Sequence, residues 1–361
     1  MLKARAALDT LKEYHPPLSG RDGLRLDFNE NTIGCSPRVL RKLASITADE
    51  LSRYPQREPA ERIVADFLQM SAAQTLLTNG VDEGIHLLCL AFLDPGDEAL
   101  VAVPTFGMYE IFAQQTGARV LSIPGGPDFS FPIDQLIAAV QPKTRLIMLA
   151  NPNNPTGGVA EIAEIERILE AAPDSAVLVD EAYFDFYGKS VLPLVSRYQN
   201  LFVTRTFSKA YGLAGMRAGV LCGNAEQMRL VRKVCSPYNV NQLALACLPE
   251  ALSDAEFVRA YVAEVLEGRS RLQDELRCVG LPFWPSHANF VLMRIGQNSN
   301  AFVRAMKARG ILVRDRTKDP GCAGCVRVTL GTLAQTAQLL PALRICLAEV
   351  GWPNASQEVR A

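Results

Sequence analysis

The chain has 361 residues, 48% of them hydrophobic, and a formal net charge of −1. That length suits about two domains, and the apolar share excludes global disorder. The balanced charge argues against a nucleic-acid or membrane partner held by electrostatics. No apolar run reaches transmembrane length and no signal-peptide pattern is present, so a cytoplasmic location is expected.

In chain order, residues 1–35 read as an arm, because Tyr14-His-Pro-Pro-Leu-Ser-Gly is too rich in Pro and Gly for a helix. Ser36-Pro-Arg caps a helix, and Glu58 to Met70 has helical periodicity. The run Leu76-Leu-Thr-Asn-Gly80-Val-Asp predicts a short strand, a glycine turn and a helix. That arrangement leaves the backbone N–H groups of Val81 and Asp82 free at a helix N-terminus, which suits an anion. Apolar strands follow at 98–103, 145–150, 176–180 and 201–204, with helices predicted over 105–116 and 159–172 between them. Uninterrupted apolar strands alternating with helices indicate a mostly parallel sheet covered on both faces, an α/β large domain over 36–240. From 241 the chain reads as a smaller α+β domain: a helical region over 241–278, strands near 290, 311 and 326, and a closing helix over 334–350.

In a wound parallel sheet, ligands sit beyond the carboxyl ends of the strands. Three predicted strands end there in polar residues: Asn151-Pro-Asn-Asn154-Pro-Thr-Gly, Asp180-Glu-Ala-Tyr183 and Thr206-Phe-Ser208-Lys209. Together they supply what pyridoxal phosphate needs. Lys209 offers the amine that links the cofactor, and Asp180 the anion beside the pyridine nitrogen. Asn154 and Tyr183 can donate to the phenolate oxygen. Val81, Asp82, Ser208 and Arg217 form a phosphate cradle, and the Tyr109 ring can cover the pyridine face. Nine cysteines, scattered among apolar residues, read as reduced. Cys322-Ala-Gly-Cys325 has the spacing of a metal or redox pair, but it stands alone beside three histidines, and no metal site is expected.

The segments Asn153-Asn-Pro-Thr-Gly157, Asp180-Glu-Ala-Tyr183 and Ser208-Lys-Ala-Tyr-Gly-Leu-Ala-Gly-Met-Arg217 resemble the class I/II aminotransferases of the fold-type-I pyridoxal-phosphate superfamily. The resemblance runs from Asp27-Phe-Asn-Glu-Asn-Thr to Arg327-Val-Thr-Leu-Gly-Thr. It is nearest to the branch that transaminates histidinol phosphate with 2-oxoglutarate. The resemblance implies that Lys209 shuttles the reaction's proton, with Asp180 and Tyr183 completing the catalytic set. It implies that Tyr54, in Arg53-Tyr-Pro, serves cofactor and substrate in the neighbouring subunit of a homodimer. Tyr14, Asn154, Arg314 and Arg327 then meet the substrate, and Arg316 reads as a surface residue. Aromatic amino-acid aminotransferases and threonine-phosphate decarboxylases share this machinery and stay open as alternatives. A dinucleotide-binding oxidoreductase does not, since Asn79-Gly-Val-Asp-Glu-Gly is not a Gly-x-Gly-x-x-Gly turn.

Overall fold

The computed structural model describes residues 2–9, 11, 13 and 20–353. Its strands are β1 (Leu24–Leu26), β2 (Thr75–Thr78), β3 (Glu98–Val103), β4 (Arg119–Pro124), β5 (Thr144–Ala150) and β6 (Ala176–Asp180). They continue with β7 (Leu201–Thr206), β8 (Gly219–Gly223), β9 (Phe283–Trp284), β10 (Phe290–Arg294), β11 (Ile311–Asp315) and β12 (Cys325–Thr329).

Seven strands form one sheet in the order β2-β8-β7-β6-β5-β3-β4. The pairs β7·β6, β6·β5, β5·β3 and β3·β4 are parallel; β8 runs antiparallel to both β7 and β2. Successive residues of β6 enter opposite cores: Val177 and Val179 join one apolar cluster, Leu178 the other. This explains why the strand is apolar at every position rather than at alternate ones. Helix Val81–Phe92 supplies Ile85 and Leu88 to one face, and helix Ile162–Ala171 supplies Ile165 and Ile168 to the other.

Two strands of the larger sheet escape the sequence reading. β4 is an edge strand with an exposed Arg119 and partial exposure elsewhere, so it carries no continuous apolar run. β8 begins and ends in glycine, and Gly219 is a close-approach site. A Cβ added there would lie 2.7 Å from the carbonyl carbon of Gly80 and 2.9 Å from the nitrogen of Val81. The bare backbone of β8 therefore lets the turn before helix Val81–Phe92 close onto the sheet.

The second sheet has the order β1-β11-β12-β10-β9. β1 pairs parallel with β11, whereas β11, β12, β10 and β9 are joined by antiparallel ladders. A strand from residues read as an arm is thus the edge of a sheet otherwise built from the C-terminal third. This pairing leads residues 27–31 across the space between the sheets. The helical region expected over 241–278 is two helices, Gln242–Ser253 and Ala255–Cys278. They break at Asp254, whose carboxylate accepts the Ser36 hydroxyl ahead of helix Pro37–Ser45. Among the described residues no helix is long and apolar enough to cross a membrane.

Substituting Gly219→Ala forces a methyl into backbone rather than into a mobile side chain. The expected result is a stability loss of roughly 1–3 kcal/mol, read as a lower denaturant midpoint at unchanged slope. An unaltered midpoint would refute the close approach of β8 to the Gly80 turn.

Candidate active site

The carboxyl ends of β2, β3, β5, β6 and β7 open into one cavity of about 920 Å³, closed on its far side by β11 and β12. Val81, Asp82, Tyr109, Asn154, Asp180, Tyr183, Ser208, Lys209, Arg217, Arg314 and Arg327, every one expected from the sequence, line it. Tyr54 does not. It is 77% exposed and stacks on Tyr238 with ring centroids 4.4 Å apart. The Tyr14 expectation lies outside the described residues.

Asp180 ends the central strand. Its Oδ2 accepts the Tyr109 hydroxyl at 2.6 Å and its Oδ1 accepts the Ala182 amide at 3.0 Å. No cationic side chain among the described residues forms an ion pair with it. Burial pushes its carboxyl up to about 7, with the Tyr109 bond opposing. Tyr109 is fully buried in the cavity wall with Phe106 edge-on at 5.7 Å. Its bond to Asp180 is a contact that helical spacing cannot reveal.

Lys209 follows β7, and its Nζ donates to the Phe28 carbonyl at 3.0 Å. Burial lowers its ammonium to about 8, and the positive charges of Arg327 and Arg217 add to the effect. Gly80 caps helix Val81–Phe92 with φ 78°. A Cβ there would meet Arg217 Nη2 at 2.4 Å, so glycine is what admits the guanidinium. Arg217 itself sits at φ 54° and pairs with the Asp82 carboxylate at 3.2 Å. Helix N–H groups, the Ser208 hydroxyl and Arg217 together present donors to an anion.

The other wall is basic. Arg327 is 5% exposed; its Nη1 donates to Asn154 Oδ1 and its Nη2 to the Asp27 carbonyl at 2.7 Å, while the buried Nε has no partner. Burial lowers its guanidinium to about 9, with Arg316 and Arg314 pushing the same way. Arg314 stands opposite Arg327 in the β11·β12 ladder and lies 5.0 Å over the Phe28 ring. Arg316 corrects the sequence reading: it is not a surface residue. Its side chain is 13% exposed, lines the cavity and is paired with Asp319. Arg316 stands two residues beyond Arg314 and its amide still donates to the Cys325 carbonyl at 3.0 Å, so the period-2 alternation of an extended chain carries it to the same side as Arg314.

Sequence reasoning also missed the run 27–31, which touches one site element after another. Asp27 Oδ1 accepts Arg21 at 2.7 Å, Phe28 O accepts Lys209, and Asn29 Nδ2 donates to the Tyr183 hydroxyl at 2.9 Å. Asn31 Nδ2 donates to the Ala210 carbonyl at 2.9 Å. The available signal was the polar run Asp27-Phe-Asn-Glu-Asn directly after a strand.

Comparison with known proteins agrees with this geometry. The family model described as aminotransferase class I and II matches residues 21–343. The chain is 36% identical to the histidinol-phosphate aminotransferase of Caldanaerobacter subterraneus subsp. tengcongensis over 325 residues, 89% of this chain and 92% of that one. It is 36% identical to the histidinol-phosphate aminotransferase of Cytophaga hutchinsonii over 350 residues, 93% and 97% of the two chains. The fold matches the crystal structure of histidinol-phosphate aminotransferase from Sinorhizobium meliloti in complex with pyridoxal-5'-phosphate. There the TM-score is 0.87 at 23% identity, covering 97% of this chain and 99% of that one. The chain belongs to the class I and II aminotransferases, the pyridoxal-phosphate-dependent family that its three strand-end motifs resemble.

Proposed function

We propose that this aminotransferase moves an amino group between L-histidinol phosphate and 2-oxoglutarate, yielding imidazole-acetol phosphate and L-glutamate, a step of histidine biosynthesis. The observation that carries the substrate is the wall of Arg314, Arg316 and Arg327, with a buried guanidinium nitrogen left unpaired. A phosphate monoester brings nearly two negative charges and three acceptor oxygens at neutral pH, and forked guanidiniums match it. Glutamate presents a carboxylate to the same donors. The relatives named histidinol-phosphate aminotransferase support this choice over the aromatic amino-acid and threonine-phosphate alternatives.

The residues fit pyridoxal phosphate on two observations. Asp180 is a buried carboxylate without a protein cation, and a pyridinium supplies one. The Gly80 turn admits the Arg217 guanidinium beside the N-terminus of helix Val81–Phe92, where a Cβ would displace it, so two kinds of anion donor converge. Val81, Asp82, Ser208 and Arg217 would hold the phosphate, Asn154 and Tyr183 the ring oxygen, and Tyr109 the ring face, while Lys209 would make the covalent link. When bound, the cofactor supplies an electron sink that acidifies the C–H bond beside the substrate nitrogen. The chain does the rest. Asp180, once opposite a cation, stays ionised. Lys209 Nζ, substantially neutral near pH 8, takes the proton from the substrate carbon and returns it. Arg327 orients the anionic end, and the buried wall excludes water.

Tyr54 and Tyr238, 77% and 54% exposed, stack on each other at the surface. This supports a homodimer in which Tyr54 enters the neighbouring subunit's cavity, and a cytoplasmic enzyme is the setting that fits the pathway.

Four experiments test the reading. In single turnover followed by cofactor absorbance, histidinol phosphate is expected to convert the enzyme fully, and failure to do so would sink the substrate assignment. In the same assay Arg327→Ala is expected to lose about a hundredfold in kcat/KM with both histidinol phosphate and glutamate, since removing one buried charge costs roughly 3 kcal/mol. A loss with one substrate alone would separate the anion sites. Asp180→Asn should fold normally yet turn over at least about a hundredfold more slowly. A near-normal rate would remove Asp180 from the electron sink. Finally, the neutral amine is the nucleophile, and the Lys209 ammonium is held at about 8. The rate of cofactor attachment to the cofactor-free protein should therefore rise with pH and level off above about 8. A rise that continues to the ordinary lysine value would mean that the amine is not depressed.

A further inference from the structure

Asn29 is 1% exposed and stands at φ 56°, in the left-handed region. Asparagine tolerates that conformation better than most residues, so a plain reading makes it a turn residue tying the two sheets together. Its bonds are more specific than that. The Asn29 backbone N–H donates to Thr329 Oγ1 at 3.1 Å, and the Thr329 hydroxyl donates back to Asn29 Oδ1 at 3.0 Å. The Asn289 amide donates to the Asn29 carbonyl at 3.2 Å. Thr329 and Asn289 are fully buried on the side of the smaller sheet. Reversing the Asn29 amide would leave the Thr329 hydroxyl proton without this acceptor in a dry site, so Oδ1 belongs to Thr329 and the NH₂ faces Tyr183. The Tyr183 oxygen thus accepts Nδ2 at 2.9 Å. A phenol that accepts from one side must send its own proton elsewhere, and Tyr183 lines the cavity.

We propose that Asn29 is a positioning residue for Tyr183: its amide, oriented by Thr329, turns the phenol's proton into the cavity toward the ring oxygen of the cofactor. This rests on the assignment of Tyr183 as a donor to that oxygen. The pair spans the two sheets, so Tyr183 is a fully effective donor only when the smaller sheet is docked through Thr329.

The test is a spectrophotometric pH titration of the cofactor-loaded enzyme, reading the pKa of the visible band of the Lys209-linked cofactor. A donor to the ring oxygen favours the more anionic form and lowers this pKa. Tyr183→Phe is expected to raise it by about one unit, the worth of one hydrogen bond to a charged group. Asn29→Gly keeps the positive φ and removes only the amide. It should raise the pKa by roughly half a unit when Tyr183 is present and not at all in the Tyr183→Phe background. Asn29→Asp, of the same shape, offers the phenol an acceptor instead of a donor. It should raise the pKa at least as far as Asn29→Gly, and it preserves the test if glycine loosens the segment. Equal shifts with and without the Tyr183 hydroxyl would overturn the proposal, because Asn29 would then act by some other route. So would a Tyr183→Phe shift unaccompanied by any shift in the two Asn29 variants. No shift in Tyr183→Phe itself would overturn the assignment of Tyr183, and the proposal with it.

Discussion

Asp180 ends the central strand of the larger sheet as a buried carboxylate bonded to neutral donors, a phenol and a backbone amide. Burying an ionised carboxylate without a cation is costly, and a raised proton affinity is the protein's response. Much of the site follows from that constraint. Tyr109 is fully buried because its hydroxyl satisfies Asp180, which fixes the start of helix Met108–Thr116 against β6. The neighbouring Glu181 is buried as well but is answered within the protein: Arg205 pairs with it at 2.9 Å, and Ser190 and the Val191 amide bond it. Two adjacent carboxylates are therefore treated differently. Glu181 is neutralised by Arg205, and Asp180 has no ion-pair partner among the described residues.

The positive groups obey the complementary logic. Arg327, Arg316 and Arg314 crowd one wall, and their mutual repulsion, added to burial, depresses Arg327. Burial holds the Lys209 ammonium below the ordinary lysine range, and the charge of Arg327 adds to it. An anion bound at the arginines would relieve this repulsion, so substrate charge and lysine basicity are electrostatically linked. Asp319, paired with Arg316, and Glu30, paired with Arg21, temper the wall without neutralising it.

Mechanically, the segment after β1 holds the assembly together. Pairing of β1 with β11 carries residues 27–31 between the two sheets. Each residue there spends its polar groups on a different partner: Arg327 on the Asp27 carbonyl, Lys209 on that of Phe28, and Tyr183 and Thr329 on Asn29. The sheets are thus joined at cavity-lining side chains, Lys209, Tyr183 and Arg327, rather than at a remote hinge. Relative movement of the two sheets would be felt first by the lysine and the tyrosine.

The sequence by itself determined the α/β class, the apolar strands of the larger sheet, and the side chains that stand at their carboxyl ends. These follow from local patterns: an uninterrupted apolar run, a glycine turn before a helix, a polar residue where a strand stops. Asn154, Asp180, Ser208 and Lys209 were legible for that reason, and so was the helix N-terminus at Val81 and Asp82. Only the tertiary structure decided what depends on how distant segments face each other. The strand character of β8 needed Gly219 to lie on the Gly80 backbone, a contact between segments 139 positions apart. Asn29 meets Tyr183 and Thr329 across separations of 154 and 300 residues. Periodicity reports the environment of a residue within its own element, and it carries no information on which other element supplies that environment.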